Sequence, residues 1–185
     1  MRYRNTSNNL GGLLRADLVR HVEVRSERAR GAGFRSIYWL TLLSPRFLPV
    51  LLVRLAGASN RGPLKVISKI FSSVNFFAFG IEISPLCKIG PGLVLPHTRG
   101  TVIGAWKIGS DATIFQCVTI GAKTLDFEYQ EHLRPTLGNS VTVGAGAKII
   151  GHLVVGDGAT VGANSVVLKN VPAGATAVGV PAHYR

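Results

Sequence analysis

Acidic side chains are scarce in this 185-residue chain, with nine Asp and Glu against 21 Lys and Arg and a net charge of +12. Cysteine is scarcer still. Cys87 and Cys117 are too few for a disulfide scaffold, so a reducing, cytoplasmic setting is expected. They read as small core or near-core side chains rather than nucleophiles. No apolar run reaches the ~20 residues of a membrane-spanning helix. The longest runs, 37–43, 47–53 and 70–81, are each bounded by a charge or a proline. The first residues are polar and basic with no apolar stretch beside them, unlike a secretory leader. No aromatic stacking motif or helix-turn-helix pattern accompanies the positive charge, so nucleic acid is not the expected partner.

The charge is unevenly placed. Residues 1–75 hold 13 Lys and Arg against 3 Asp and Glu, whereas residues 76–185 hold 8 against 6. A basic segment of this kind meets a polyanion, an anionic membrane surface or solvent. Peripheral contact with the inner face of a membrane through residues 1–75 is one expectation.

From Ile83 onward the sequence repeats every six residues. Aliphatic side chains stand at Ile83, Ile89 and Leu95 and resume after one extra residue at Val102, Ile108, Ile114 and Ile120. After an interruption they continue at Leu137, Val143, Ile149, Val155, Val161 and Val167. Glycine follows directly at Gly90, Gly109, Gly121, Gly138, Gly144, Gly156 and Gly162. A helix would space apolar residues three and four apart, and a simple strand would alternate them. A period of six fits a chain that turns a corner once per repeat. Three short strands then close a triangular coil, and stacked coils share one core. The expected fold is mainly β, a parallel β-helix. Each aliphatic residue points inward, and the glycine beside it turns the chain through a positive φ. The segment 122–136 (AKTLDFEYQEHLRPT) breaks the period and must leave the prism as a loop. It is either a functional excursion or a tolerated insertion.

The N-terminal part reads as helical. Leu10, Leu13, Leu14, Leu18 and Val22 lie near helical spacing over 10–28, with Asn9 as a candidate cap. Short helices are expected over 37–43 and 47–58, broken by Pro45 and Pro49. Another is expected over 64–77, with Pro63 suited to its first turn. The division is a small basic α-helical domain, 1–78, and a β-helix domain, 79–185, whose last stretch, 171–185, reads as irregular coil.

The motifs at 80–90 (GIEISPLCKIG), 95–104 (LPHTRGTVIG), 115–121 (FQCVTIG), 143–151 (VGAGAKIIG) and 161–168 (VGANSVVL), with a final Gly179-Val180-Pro181-Ala182, together resemble one family. It is the serine O-acetyltransferase branch of the hexapeptide-repeat acyltransferases, and the resemblance spans roughly 47–181. It implies a left-handed β-helix, acetyl-CoA as co-substrate, no metal, and assembly as homotrimers or dimers of trimers. It places the catalytic base at His97, and Glu82 where the family carries a carboxylate that pairs with that base. Histidine suits the task, because a hydroxyl must lose its proton as it attacks a thioester. The same resemblance points to Gly121, Ala145, Gly146 and Ala163 for the pantetheine arm and to Lys148 and Lys169 for phosphates.

The chain departs from the family around the acceptor. Pro96 replaces an Asp that helps bind serine. Leu133-Arg134 stands before Pro135, where the family has a basic residue followed by His. Arg134 remains a candidate anion ligand, and His132 lies two positions away. These departures, and the short basic N-terminal part, resemble relatives that acetylate sugars of exopolysaccharides or lipid-linked glycans. A glycan acceptor is therefore the first expectation and serine the alternative. A zinc lyase on the same fold would need His97, His132 and His152 to converge between subunits, and their spacing does not match that family. A non-catalytic scaffold is the remaining class, and it predicts that His97 is dispensable.

Overall fold

The computed structural model describes residues 9–26 and 41–184. Most of the helix expected over 37–43 lies outside them, as does part of the basic segment. Among the helices of the described residues, three lead into the prism: α1 (Leu10–Ser26), α2 (Leu48–Ser59) and α3 (Lys65–Phe79). Asn9 does cap α1, its Oδ1 accepting from the Gly12 N–H at 2.8 Å. Pro49 sits in the first turn of α2, where a missing N–H costs nothing. A 3₁₀ turn, Gly62–Leu64, precedes α3. Gly80, at φ +63, ends α3 in the left-handed region and turns the chain into the first strand.

Fourteen strands follow, most of two or three residues. β1 (Ile81–Ile83), β3 (Thr101–Ile103), β6 (Thr119–Gly121), β9 (Lys148–Ile150) and β12 (Val166–Val167) stack as the first face. β2 (Lys88–Ile89), β4 (Lys107–Ile108), β7 (Thr136–Leu137) and β10 (Val154–Val155) form the second. β5 (Thr113–Ile114), β8 (Thr142–Val143), β11 (Thr160–Val161) and β13 (Thr176–Gly179) form the third. All pair in parallel, one face after another in rotation, which is a left-handed parallel β-helix. The last stretch differs from the expected irregular coil. β13 joins the third face, and β14 (Ala182–Tyr184) folds back antiparallel to it.

The core follows the repeat with two corrections. Ile83, Ile103, Ile120, Ile149 and Val167 fill the first face from within, so Ile103 is the inward residue and Val102 points out, 40% exposed. The corner at 96–100 holds two extra residues rather than one, and the next interval, Ile103 to Ile108, is correspondingly short. The second correction concerns the glycines. None of Gly90, Gly109, Gly121, Gly138, Gly144, Gly156 and Gly162 has a positive φ. Left-handed residues sit instead at the corners, at Asp111, Cys117, Ser140, Asn164, Gly146 and Gly158 among others. Six of those seven glycines are there because the neighbouring coil is too close. A Cβ on Gly109 would lie 2.5 Å from the carbonyl carbon of Gly138. Gly121 is the exception, since a Cβ there would meet nothing within 4 Å.

This contrast gives a test. Gly109→Ala is expected to destabilise the fold by about 1–3 kcal/mol, the range for forced overpacking. Gly121→Ala should stay within about 0.5 kcal/mol. Thermal unfolding of the two variants beside the wild type measures both.

The first coil has no coil before it, and a buried ion pair takes that place. Asp17 on α1 and Arg54 on α2 meet at 2.7 Å, with side chains 0% and 4% exposed. Arg54 also donates to the carbonyls of Ile89 and Gly90, each at 2.6 Å. Asp17 accepts from the N–H groups of Gly92 and Leu93 at 2.8 and 3.0 Å. The pair thus satisfies four backbone groups at the open end of the solenoid, which need partners once buried. Buried Ser68 and Asn75 of α3 donate to the carbonyls of Ala56 and Pro49, fastening α3 to α2. Among the described residues no helix is long and apolar enough to cross a membrane.

The loop between β6 and β7 folds back on the prism. The Arg134 guanidinium bonds Asp126 at 2.6 Å and the Gly104 carbonyl at 2.8 Å, and it stacks on the Tyr129 ring at 3.7 Å. Tyr129 donates its hydroxyl to the Ala105 carbonyl at 2.6 Å. Burial raises the Tyr129 pKa, so the phenol stays a donor. Burial works against the Asp126 charge, but hydrogen bonds from Arg134 and the Gln130 N–H outweigh it and lower the carboxyl pKa. Leu125 and Phe127, 85% and 92% exposed, stand at the loop's outer edge.

Candidate active site

His97 stands at the corner between the third and first faces. The two-residue surplus there bulges the chain outward, which leaves the imidazole exposed. Two bonds clip the bulge to the start of β1. The Thr98 hydroxyl donates to the Phe79 carbonyl at 2.8 Å, and the Gly100 N–H donates to the Gly80 carbonyl at 2.8 Å. Glu82 is two residues further on, exposed at the outward centre of β1 and beside Val102. Among the described residues no hydrogen bond or ion pair joins His97 to Glu82. The clip ties the His97 corner to the residues that lead into β1, and both side chains are exposed.

A cleft of about 780 Å³ opens at His97, bounded by His21, Arg46, Pro96, Thr113 and Phe115 among others. A second of about 640 Å³ shares the same imidazole, with Arg46, Phe79, Arg99 and Gln116 in its wall. Both volumes suit small substrates. His21 comes from α1 and is packed edge-on to Phe47 at 5.3 Å. Its Nδ1 lies 2.8 Å from the Asp17 carbonyl, and burial holds its pKa below the usual histidine value. The ring is therefore neutral and belongs to the wall of the cleft.

Below His97 the same corner carries Gln116-Cys117, then Ala145-Gly146, then Ala163-Asn164, one pair per coil. Three coil steps at ~4.8 Å make a line of about 14 Å of small side chains and exposed backbone. Gly146 is needed within the chain itself, because its φ is +74 and Asn164 lies against it. Gly121 lies at the opposite corner of the first face, where β6 ends, and open space adjoins it without any internal reason to be glycine.

Lys148 lies on the first face between them. Its ammonium donates to the Cys117 carbonyl at 2.7 Å and the Thr119 hydroxyl at 3.1 Å, so two of its three protons are already used. Lys169 is exposed. Arg134 is corrected as an acceptor ligand, because its guanidinium is committed to the loop and buried. His132, exposed in the turn Glu131–Leu133, lines neither His97 cleft. His97, His132 and His152 do not converge within the chain. Of the cysteines, Cys87 packs against the core and burial pushes its thiol up to about 12. Cys117 is exposed at a left-handed corner, which corrects its reading as a core residue. Sequence reasoning missed His21 and Arg46, which line the His97 clefts from segments outside the repeat motifs, and Arg99, which lies inside the 95–104 motif but was given no role.

Residues 134–169 match the family model described as bacterial transferase hexapeptide (six repeats). A Helicobacter pylori serine acetyltransferase is 45% identical over 149 residues, covering 80% of this chain and 85% of the relative. A soybean serine acetyltransferase solved with serine superposes at TM-score 0.77 and 32% identity, over 94% of this chain and 70% of that one. A serine acetyltransferase solved with CoA superposes at TM-score 0.80 and 28% identity, over 99% of this chain and 72% of the other. Fold, cleft and comparisons together define an acetyl-CoA-dependent O-acetyltransferase. Within that class the chain belongs to the serine acetyltransferase family of hexapeptide-repeat proteins.

Proposed function

We propose that this chain transfers the acetyl group of acetyl-CoA to the hydroxyl of L-serine. The observation that carries this reading is the 45% identity to a serine acetyltransferase over 85% of its length. The glycan acceptor expected from Pro96 and Leu133 finds no support among these relatives and is set aside.

His97 removes the serine hydroxyl proton as the oxygen attacks the thioester carbonyl. The same proton then passes to the departing CoA sulfur, so charge and atoms balance. Glu82, on the far side of the ring, fixes its tautomer and steadies the imidazolium. The clip between residues 98–100 and 79–80 supports that pairing. Ala145, Gly146 and Ala163 border the pantetheine arm along the His97 corner, with Gly121 at its other side and Lys148 and Lys169 towards the phosphates. Gly121 and Ala145 stand at opposite corners of one face, so an arm touching both runs between two copies of the chain. That geometry favours a homotrimer.

An acceptor screen tests the reading. Thiol release from acetyl-CoA should be robust with L-serine and at background with nucleotide sugars and glycan acceptors. Turnover with a sugar and none with serine would reverse it.

A further inference from the structure

Several cations near the coils of this chain are already spent on it. Arg54 caps the first coil, Arg134 locks the loop, Lys148 holds a corner, and Lys88 lies over the Trp106 ring at 3.9 Å. Arg46 and Arg99 are different. Among the described residues neither guanidinium has a hydrogen bond or an ion pair. Both are exposed, and both line one cleft with His97. Arg46 reaches it from the segment before α2. Arg99 leaves the corner two residues after the base, its chain lying against Gly80.

We propose that Arg46 and Arg99 form the seat for the acceptor's carboxylate. The inference rests on the serine reading above and names the residues that read that substrate. A guanidinium presents paired donors that match a carboxylate, and it stays charged at any working pH. Two of them in one cleft, with no carboxylate lining it, leave an anion as the fitting occupant. The donor's phosphates are the wrong anion for this place. The thioester must meet His97, and the arm runs from there down the corner, so the phosphates lie at its far end, about 14 Å off at ~4.8 Å per coil. Arg46 and Arg99 stand at the reacting end. Their position also answers the departure from the family pattern at Leu133-Arg134. Leu133 carries no charge, and Arg134 is committed to Asp126.

The test compares L-serine with L-serinamide, whose carboxylate is replaced by a neutral amide, in wild type, Arg46→Gln, Arg99→Gln, the double variant and Arg99→Lys. Wild type should favour serine. In each Gln variant KM for serine should rise about tenfold to a hundredfold, the range for losing a charged hydrogen-bond partner. The serine-to-serinamide ratio of kcat/KM should fall towards one in the double variant, and Arg99→Lys should retain part of it. Serine turnover by wild type with an unchanged ratio in every variant would overturn the arginine seat alone. So would a rise confined to the KM for acetyl-CoA, which would assign the arginines to the donor. No serine turnover by wild type would overturn the seat and the serine reading together.

Discussion

Replacing His97 with alanine should lower kcat by about 10²–10⁴-fold, the usual contribution of a positioned general base. The KM for acetyl-CoA should change little, because the corner proposed for the donor, at Ala145 and Ala163, lies below the imidazole rather than on it. Folding should be unaffected to within about 0.5 kcal/mol, since the side chain is exposed and fills no core position. Steady-state kinetics with both substrates varied, beside a thermal melt, separates these outcomes. A variant that melts like wild type and keeps full activity would remove His97 from the chemistry and restore the scaffold alternative. Glu82→Gln should cost less, because an amide keeps a hydrogen bond to the ring while losing the charge that steadies the imidazolium.

The second large effect is on stability. Asp17→Ala should cost about 3–5 kcal/mol, the range for breaking a buried ion pair from one side. At roughly 2–4 °C per kcal/mol for a chain of this size, the melting point should fall by about 6–20 °C. The loss exceeds one contact, because Arg54 is left charged and buried and the N–H groups of Gly92 and Leu93 lose their acceptor. Asp17→Asn should be milder, since it keeps one oxygen for those N–H groups. A melt of Asp17→Ala within a degree of wild type would contradict the reading of this pair as the cap on the first coil.

The prism was legible in the sequence because its physics is periodic. An aliphatic residue every six positions needs a corner per repeat, and Leu137 through Val167 obey that without exception. Legibility failed where the period slipped. The two extra residues at the His97 corner move the inward position from Val102 to Ile103, and the hydrophobic pattern alone cannot choose between adjacent aliphatics. The glycine rule was right in place and wrong in cause. Gly109 is small because Gly138 lies on it, a contact between coils 29 residues apart that a local reading cannot see.

His97 could be singled out because it lies in a compact motif, whereas part of the wall of its cleft comes from segments distant in sequence. His21 and Arg46 carry no fixed spacing to that motif, and Arg99, two residues after His97, has no local pattern that marks it as part of a cleft wall. One signal was available for the cap. Arg54 is the one charge in the apolar helix 48–59, and a charge in such a place tends to be buried with an opposite partner. Arg134 was read as a free cation because its partner, Asp126, is eight residues back in a loop with no period. Its commitment to that loop is one ground for the proposed seat at Arg46 and Arg99.

The central claim is acetyl transfer from acetyl-CoA to serine. It is tested most directly by quantifying both products after the purified protein meets acetyl-CoA and L-serine. The expected result is O-acetylserine and free CoA in equal amounts, formed together and dependent on serine. CoA release that is unchanged by adding serine, with no O-acetylserine formed, would contradict it.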